Sequence, residues 1–169
     1  MPNHARIKSA YVFGAGAGWG GWMSPGERLR VFALWWLIGP PLVCLKGYLP
    51  FRMLGMGEDL PVDVFYQWRK WCRFPRYFFD DPEEVPLRAQ FAGVSLPIVV
   101  ANALDDAWAP PRSRDAFMSG YVNSDWRGVD IDPRQQGVGA IGHMGYFRAA
   151  ARSLWQPVIE EFSRSTAPA

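Results

Sequence analysis

Two stretches of this 169-residue sequence carry side chains able to work together in acid–base chemistry. One is Leu104-Asp105-Asp106-Ala107-Trp108-Ala109-Pro110, and the other is Ala140-Ile141-Gly142-His143-Met144-Gly145. A carboxylate bonded to one imidazole nitrogen fixes the ring's tautomer and steadies the imidazolium. The second nitrogen is then free to take a proton as a general base. The plainer reading is structural: Asp106 caps the helix that follows, and His143 is a loop histidine among glycines. Placement decides between the two.

Residues 96–103 (LPIVVANA) form a continuous apolar run of strand length, the pattern of a strand buried on both faces of a parallel sheet. Residues 126–131 (WRGVDI) read as another strand, and helices are predicted over about 113–121 and 146–164. Strand, loop and helix in alternation imply right-handed crossovers and a parallel sheet. Ligands of such sheets sit in the loops beyond the carboxyl ends of the strands. Neighbouring strands would therefore bring Asp105 or Asp106 to the same rim as His143.

The first half is more broken. Residues 7–13 (IKSAYVF) read as a strand ending in a glycine-rich loop, Gly14 to Gly21. Ser24-Pro25-Gly26-Glu27 has the form of a helix entry, with Ser24 as N-cap. That helix is predicted to stop near Ile38, before Gly39-Pro40-Pro41. The uncharged run 31–45 is shorter than the roughly 20 residues of a spanning helix, so a buried or interfacial helix is expected and no membrane span. Residues 48–61 read as a loop broken by glycine and proline. Residues 61–71 read as a helix with Val64, Tyr66, Trp68 and Trp71 on a broad aromatic face. Arg69, Lys70 and Arg73 are expected on a solvated face. Residues 76–86 are rich in turns. Most of the nine tryptophans fall between Trp19 and Trp71, which points to a greasy subregion such as a lid.

Several function classes lose support. A formal charge of +2 with scattered basic residues is too mild for nucleic-acid binding. Cys44 and Cys72 lack metal-ligand spacing and read as buried free thiols of a reducing cytoplasm. Residues 1–9 are polar and show no signal sequence. Gly16-Ala17-Gly18-Trp19-Gly20-Gly21 satisfies a dinucleotide-binding pattern, but Ser24-Pro25 delays the helix and no acid follows about 20 residues on. A flexible loop is expected there, and no cofactor. The only histidines, His4 and His143, have no ligand-spaced neighbours, so no metal site is expected, and His4 reads as solvated.

Taken together, the loop Asp106-Ala107-Trp108-Ala109-Pro110, the Gly142-His143 loop and a long terminal helix resemble the α/β-hydrolases. Ile141-Gly142-His143-Met144-Gly145-Tyr146-Phe147-Arg148 and Gly55-Met56-Gly57-Glu58-Asp59-Leu60-Pro61 are similar to a bacterial group related to serine aminopeptidase-like and esterase-like enzymes. The likeness runs from about Ile7 to Phe162. It implies Asp106 as acid and His143 as base, with Asp105 the alternative acid. The family places its serine before both, on a Gly-x-Ser-x-Gly elbow. No such elbow occurs in this sequence, nor does the oxyanion loop that would precede it.

The fold class expected is therefore α/β: the C-terminal half of an α/β-hydrolase, with about three parallel strands, flanking helices and a helical cap. Residues 1–21 would hold the first strand and glycine loop, 22–85 the cap, and 86–169 the core with the Asp and His loops. Such a chain would act with its missing half on a small apolar ester, thioester or amide, and show little activity by itself. The rival is an inactive binding or assembly module that self-associates through an exposed sheet edge.

Overall fold

A computed structural model describes residues 6–53 and 57–166. His4, Gly55 and Met56, for which the sequence raised expectations, lie outside the described residues, as does the tail beyond Thr166. In chain order the strands are β1 (Ala10–Phe13), β2 (Tyr48–Leu49), β3 (Leu60–Pro61), β4 (Ile98–Ala103) and β5 (Trp126–Ile131). The α-helices are α1 (Pro25–Phe32), α2 (Gly39–Lys46), α3 (Val62–Trp71), α4 (Val85–Ala92), α5 (Pro111–Met118) and α6 (Gln156–Thr166).

Three strands make a parallel sheet in the order β1-β4-β5. Ala10 pairs with Ile98 and Ile98 with Trp126, so the three strands start level and point the same way. All six residues of β4 are buried, as a central strand covered on both faces requires. Alternation sends Ile98 and Val100 into a cluster with Met118, and Ala101 and Ala103 into another with Ile131, Tyr146 and Leu154.

The chain between β1 and β4 builds a third core from Trp35, Val43, Leu49, Phe51 and Phe65. Its scaffold is helical. Ser24 caps α1, its hydroxyl oxygen accepting the Glu27 N–H at 3.4 Å. Contrary to expectation, the helix does not stop at Ile38. A π-helical stretch (Ala33–Ile38) leads straight into α2, with the Gly39 N–H reaching five residues back to Leu34 O. The wider turn shifts the preceding carbonyls, so Pro40 and Pro41 fit without the clash they make in a regular α-helix. The helix ends only at Gly47, whose φ of +76° and N–H bond to Val43 O (2.8 Å) close it. The run Pro25–Lys46 is thus 22 residues, long and apolar enough by length and composition to cross a membrane.

Other expectations change in detail. On α3 the buried residue is Phe65, while Val64 and Tyr66 are exposed. The basic residues there are not merely solvated: Arg69 lies 4.6 Å over the Trp36 ring, and Lys70 reaches Asp81 at 2.8 Å and Glu83 at 2.6 Å. Cys44 is exposed, on an outward face of α2, and Cys72 is half-buried. The terminal helix expected over 146–164 is interrupted. Arg148 is extended (φ −70°, ψ 148°) between two short 3-10 turns, and regular helix begins at Gln156. The break lets Tyr146 stay pinned while Ala151 and Leu154 reach the core.

Candidate active site

The acid loop leaves the buried end of β4 through a tight turn, the Asp106 N–H donating to Ala103 O at 3.1 Å. Asp106 is 2% exposed. Its Oδ1 accepts the backbone N–H groups of Trp108 (2.9 Å) and Ala109 (3.0 Å), so the loop itself fixes the carboxylate. Oδ2 meets His143 Nδ1 at 2.9 Å. Burial alone pushes this carboxyl up. The bonds from His143 and Ala109, the imidazole's charge and the Trp108 bond outweigh it and hold the group below its ordinary value of 3.8. Asp106 does not cap α5, whose N-cap is Pro110.

Asp105 serves a different purpose. Its Oδ2 accepts the Ile141 N–H at 2.9 Å and its Oδ1 the Gly142 N–H at 3.1 Å. One aspartate thus holds the imidazole and its neighbour holds the loop that carries it. Gly142 has φ of +56°, a backbone state that other residues resist, and this brings His143 round to the sheet rim. Beyond His143, Tyr146 is buried and its hydroxyl accepts the Ala103 N–H at 2.9 Å, anchoring the histidine loop to the end of β4. Burial pushes that phenol up to about 12, so it stays protonated.

Asn102 completes the frame. It is fully buried in β4, and its Nδ2 donates to Ala15 O (2.9 Å) and Ala109 O (2.7 Å). It thereby ties the glycine-rich loop after β1 to the acid loop. That loop is not the loose connection expected from its glycines. Ala17 and Ser113 exchange bonds, the Ala17 N–H to Ser113 O (3.2 Å) and the Ser113 hydroxyl to Ala17 O (2.7 Å). A Cβ at Gly16 would lie 2.5 Å from that hydroxyl, so this glycine permits close packing against α5.

Because Asp106 takes Nδ1, the His143 Nε2 is left over, and no described group bonds it. His143 lines a cavity of about 310 Å³ with Trp35, Phe51, Trp68, Trp108 and Phe117. The Trp108 ring lies 5.5 Å from the imidazole, and its Nε1 donates to Glu27 Oε1 at 2.8 Å, joining the acid loop to α1. Among the described residues no serine or threonine lines the cavity. Its one thiol, Cys72, is pushed up to about 12 by burial and is not a thiolate at neutral pH. The arrangement is a held imidazole facing an apolar chamber, without an activated nucleophile among the described residues. Among those residues no His, Cys, Asp and Glu cluster could hold a metal ion.

No family model matches this sequence, and no curated protein matches it significantly. Its fold is similar to that of the candidate non-heme bromoperoxidase BpoC of Mycobacterium tuberculosis, at a TM-score of 0.50 and 13% identity. That match covers 95% of this chain and 59% of that one. The fold is that of the α/β-hydrolases. Another solved structure, Rv0554 of Mycobacterium tuberculosis, matches at a TM-score of 0.43 and 14% identity, over 95% of this chain and 58% of that one. The chain spans about three-fifths of the length of either neighbour.

The sequence pointed to Asp106 and His143 and left Asp105 as an alternative acid. It did not single out Asn102 or Tyr146. The signal for Asn102 was present: one amide inside the run LPIVVANA has to find buried partners. Nothing local to Tyr146 announced its bond across 43 positions.

Proposed function

We propose that this chain carries the acid and base of a hydrolase site of the α/β-hydrolase type, for a small apolar ester, thioester or amide. The observation that carries the reading is the 2.9 Å bond between Asp106 Oδ2 and His143 Nδ1 at the rim of a parallel sheet, facing an aromatic cavity. In this reading Asp106 fixes the tautomer, and His143 Nε2 takes the proton of a serine nucleophile and returns it to the leaving group. The segment with Trp35, Phe51 and Trp68 acts as the cap that excludes water from the acyl group. The serine and its oxyanion donors come from polypeptide other than the described residues, seated beside β1.

Hydrolysis of p-nitrophenyl butyrate by the chain as it stands is the test. The expected rate is the same for the native chain and for His143→Ala, because an imidazole without its nucleophile has nothing to activate. The partnership of acid and base is read separately, by NMR of the imidazole. The hydrogen-bonded Nδ1 proton should be present in the native chain and lost in Asp106→Asn. A spectrum unchanged by Asp106→Asn would overturn the proposal, and His143-dependent turnover would show that this chain supplies its own nucleophile. The second reading, a binding module that reuses the chamber without turnover, is favoured by one observation: among the described residues neither a serine nor a thiolate lines the chamber with His143.

A further inference from the structure

A second cavity, of about 480 Å³, adjoins the histidine chamber, and the two share a wall of Gly18, Val31, Trp35 and Cys72. Its lining differs in kind. Arg28, Arg69 and Arg73 face it together with Trp19, Trp35 and Trp36, and no acidic residue is among those that line it. No described carboxylate pairs with any of the three guanidinium groups. The acids beside Arg28 and beyond Arg73 in sequence have other partners. Glu27 takes Arg30 and the Trp108 indole, while Asp81, Glu83 and Glu84 lie around Lys70. Three permanent positive charges around one concavity repel one another, and low-dielectric indole walls strengthen their field. Arg69 is already placed by stacking at 4.6 Å on Trp36, so little freedom is lost when it meets a ligand.

We propose that this cavity binds an amphiphilic anion: a phosphate or carboxylate held by Arg28, Arg69 and Arg73, on an apolar or aryl body laid against Trp19 and Trp36. Guanidinium forks match both oxyanions bidentately, and the indoles supply the surface that inorganic phosphate leaves unused. The site stands apart from the chemistry at His143 and does not depend on it. Phe32, which is 52% exposed, and Leu29, 68% exposed, continue the lining outwards, so the apolar body has a way to extend beyond the cavity mouth. A free organic phosphate and the headgroup end of an anionic lipid share this chemistry.

The test measures binding by tryptophan fluorescence and calorimetry, with monomeric decyl phosphate, decanol and inorganic phosphate as probes. Decyl phosphate should bind at least about tenfold more tightly than either of the others, and the advantage should shrink with added salt. Arg28→Gln combined with Arg73→Gln changes two exposed side chains. It should weaken decyl phosphate about tenfold or more while leaving decanol unaffected. His143→Ala should bind decyl phosphate as the native chain does, which separates this site from the hydrolase chamber. Co-sedimentation with phosphatidylglycerol vesicles, but not with phosphatidylcholine vesicles, would assign the anion to a lipid. Sedimentation with neither would assign it to a free molecule. Equal affinity for decyl phosphate and decanol overturns the proposal, as does a salt-independent affinity in the native chain.

Discussion

Asp105 and Asp106 are chemically identical neighbours whose carboxylates turn to different partners, one to two backbone N–H groups and one to an imidazole. For Asp106 this has a consequence in acid. Its folded-state pKa lies below the ordinary 3.8, so on acidification the unfolded chain takes up this proton first. The stability it contributes is complete above that value and is lost as pH falls through the folded one. Asp106→Asn should therefore cost about 1–3 kcal/mol near neutral pH. Urea titrations should show the gap to the native chain closing as pH drops below the ordinary carboxyl value of 3.8. A gap independent of pH would mean that the carboxylate's charge has no part in it. The sequence made both aspartates candidates for one role. It could not separate them, because a one-residue step along a turn reverses which way a side chain faces, and only the turn at Ala103 sets that direction.

At the level of elements, the long helix through Gly39 departs from propensity. Replacing a helical glycine by alanine ordinarily stabilises by about 1 kcal/mol. Here the added Cβ would lie 2.6 Å from Leu34 O and 2.7 Å from the Phe65 ring, both inside the packed core. Gly39→Ala should instead destabilise by about 1–3 kcal/mol, read from the urea midpoint, and a stabilised variant would refute the close approach. The same place marks the limit of sequence reading. The strands over 96–103 and 126–131 and the Ser24 cap were legible because apolar runs and caps are local signals. The continuation through Pro40 and Pro41 was not, because the π turn that admits them carries Trp35 against Phe65 of α3, a contact that no local pattern announces. The terminal helix was overestimated for a similar reason: Tyr146 obeys β4 rather than its own neighbours in sequence.

For the molecule as a whole, β1 is the exposed question. Among the described residues it pairs only with β4 in the sheet, and Val12 on it is 36% exposed. An unpaired parallel edge recruits another strand. Size-exclusion chromatography should show self-association that grows with concentration, and Val12→Lys should reduce it by placing a charge on the edge. A native chain that stays monomeric at high concentration would count against an adhesive edge. That β1 belongs beside β4 was readable only as a topological expectation, since 84 residues separate Phe13 from Ile98 in the chain. The arginines of the second cavity were not readable at all. They are spread from Arg28 to Arg73, and only the packing of the π-helical stretch Ala33–Ile38 against α3 turns scattered charges into a concentrated field.

The indole of Trp108 reaches out of the acid loop to Glu27 on α1, two residues along from the carboxylate that grips the imidazole. That bond latches α1, whose Val31 lines the chamber, to the loop that holds the imidazole. Swinging α1 outwards to admit a bulky guest must either snap the latch or drag the aspartate loop with it. Under the proposed function, entry past α1 and the hold on His143 would be coupled through this one contact.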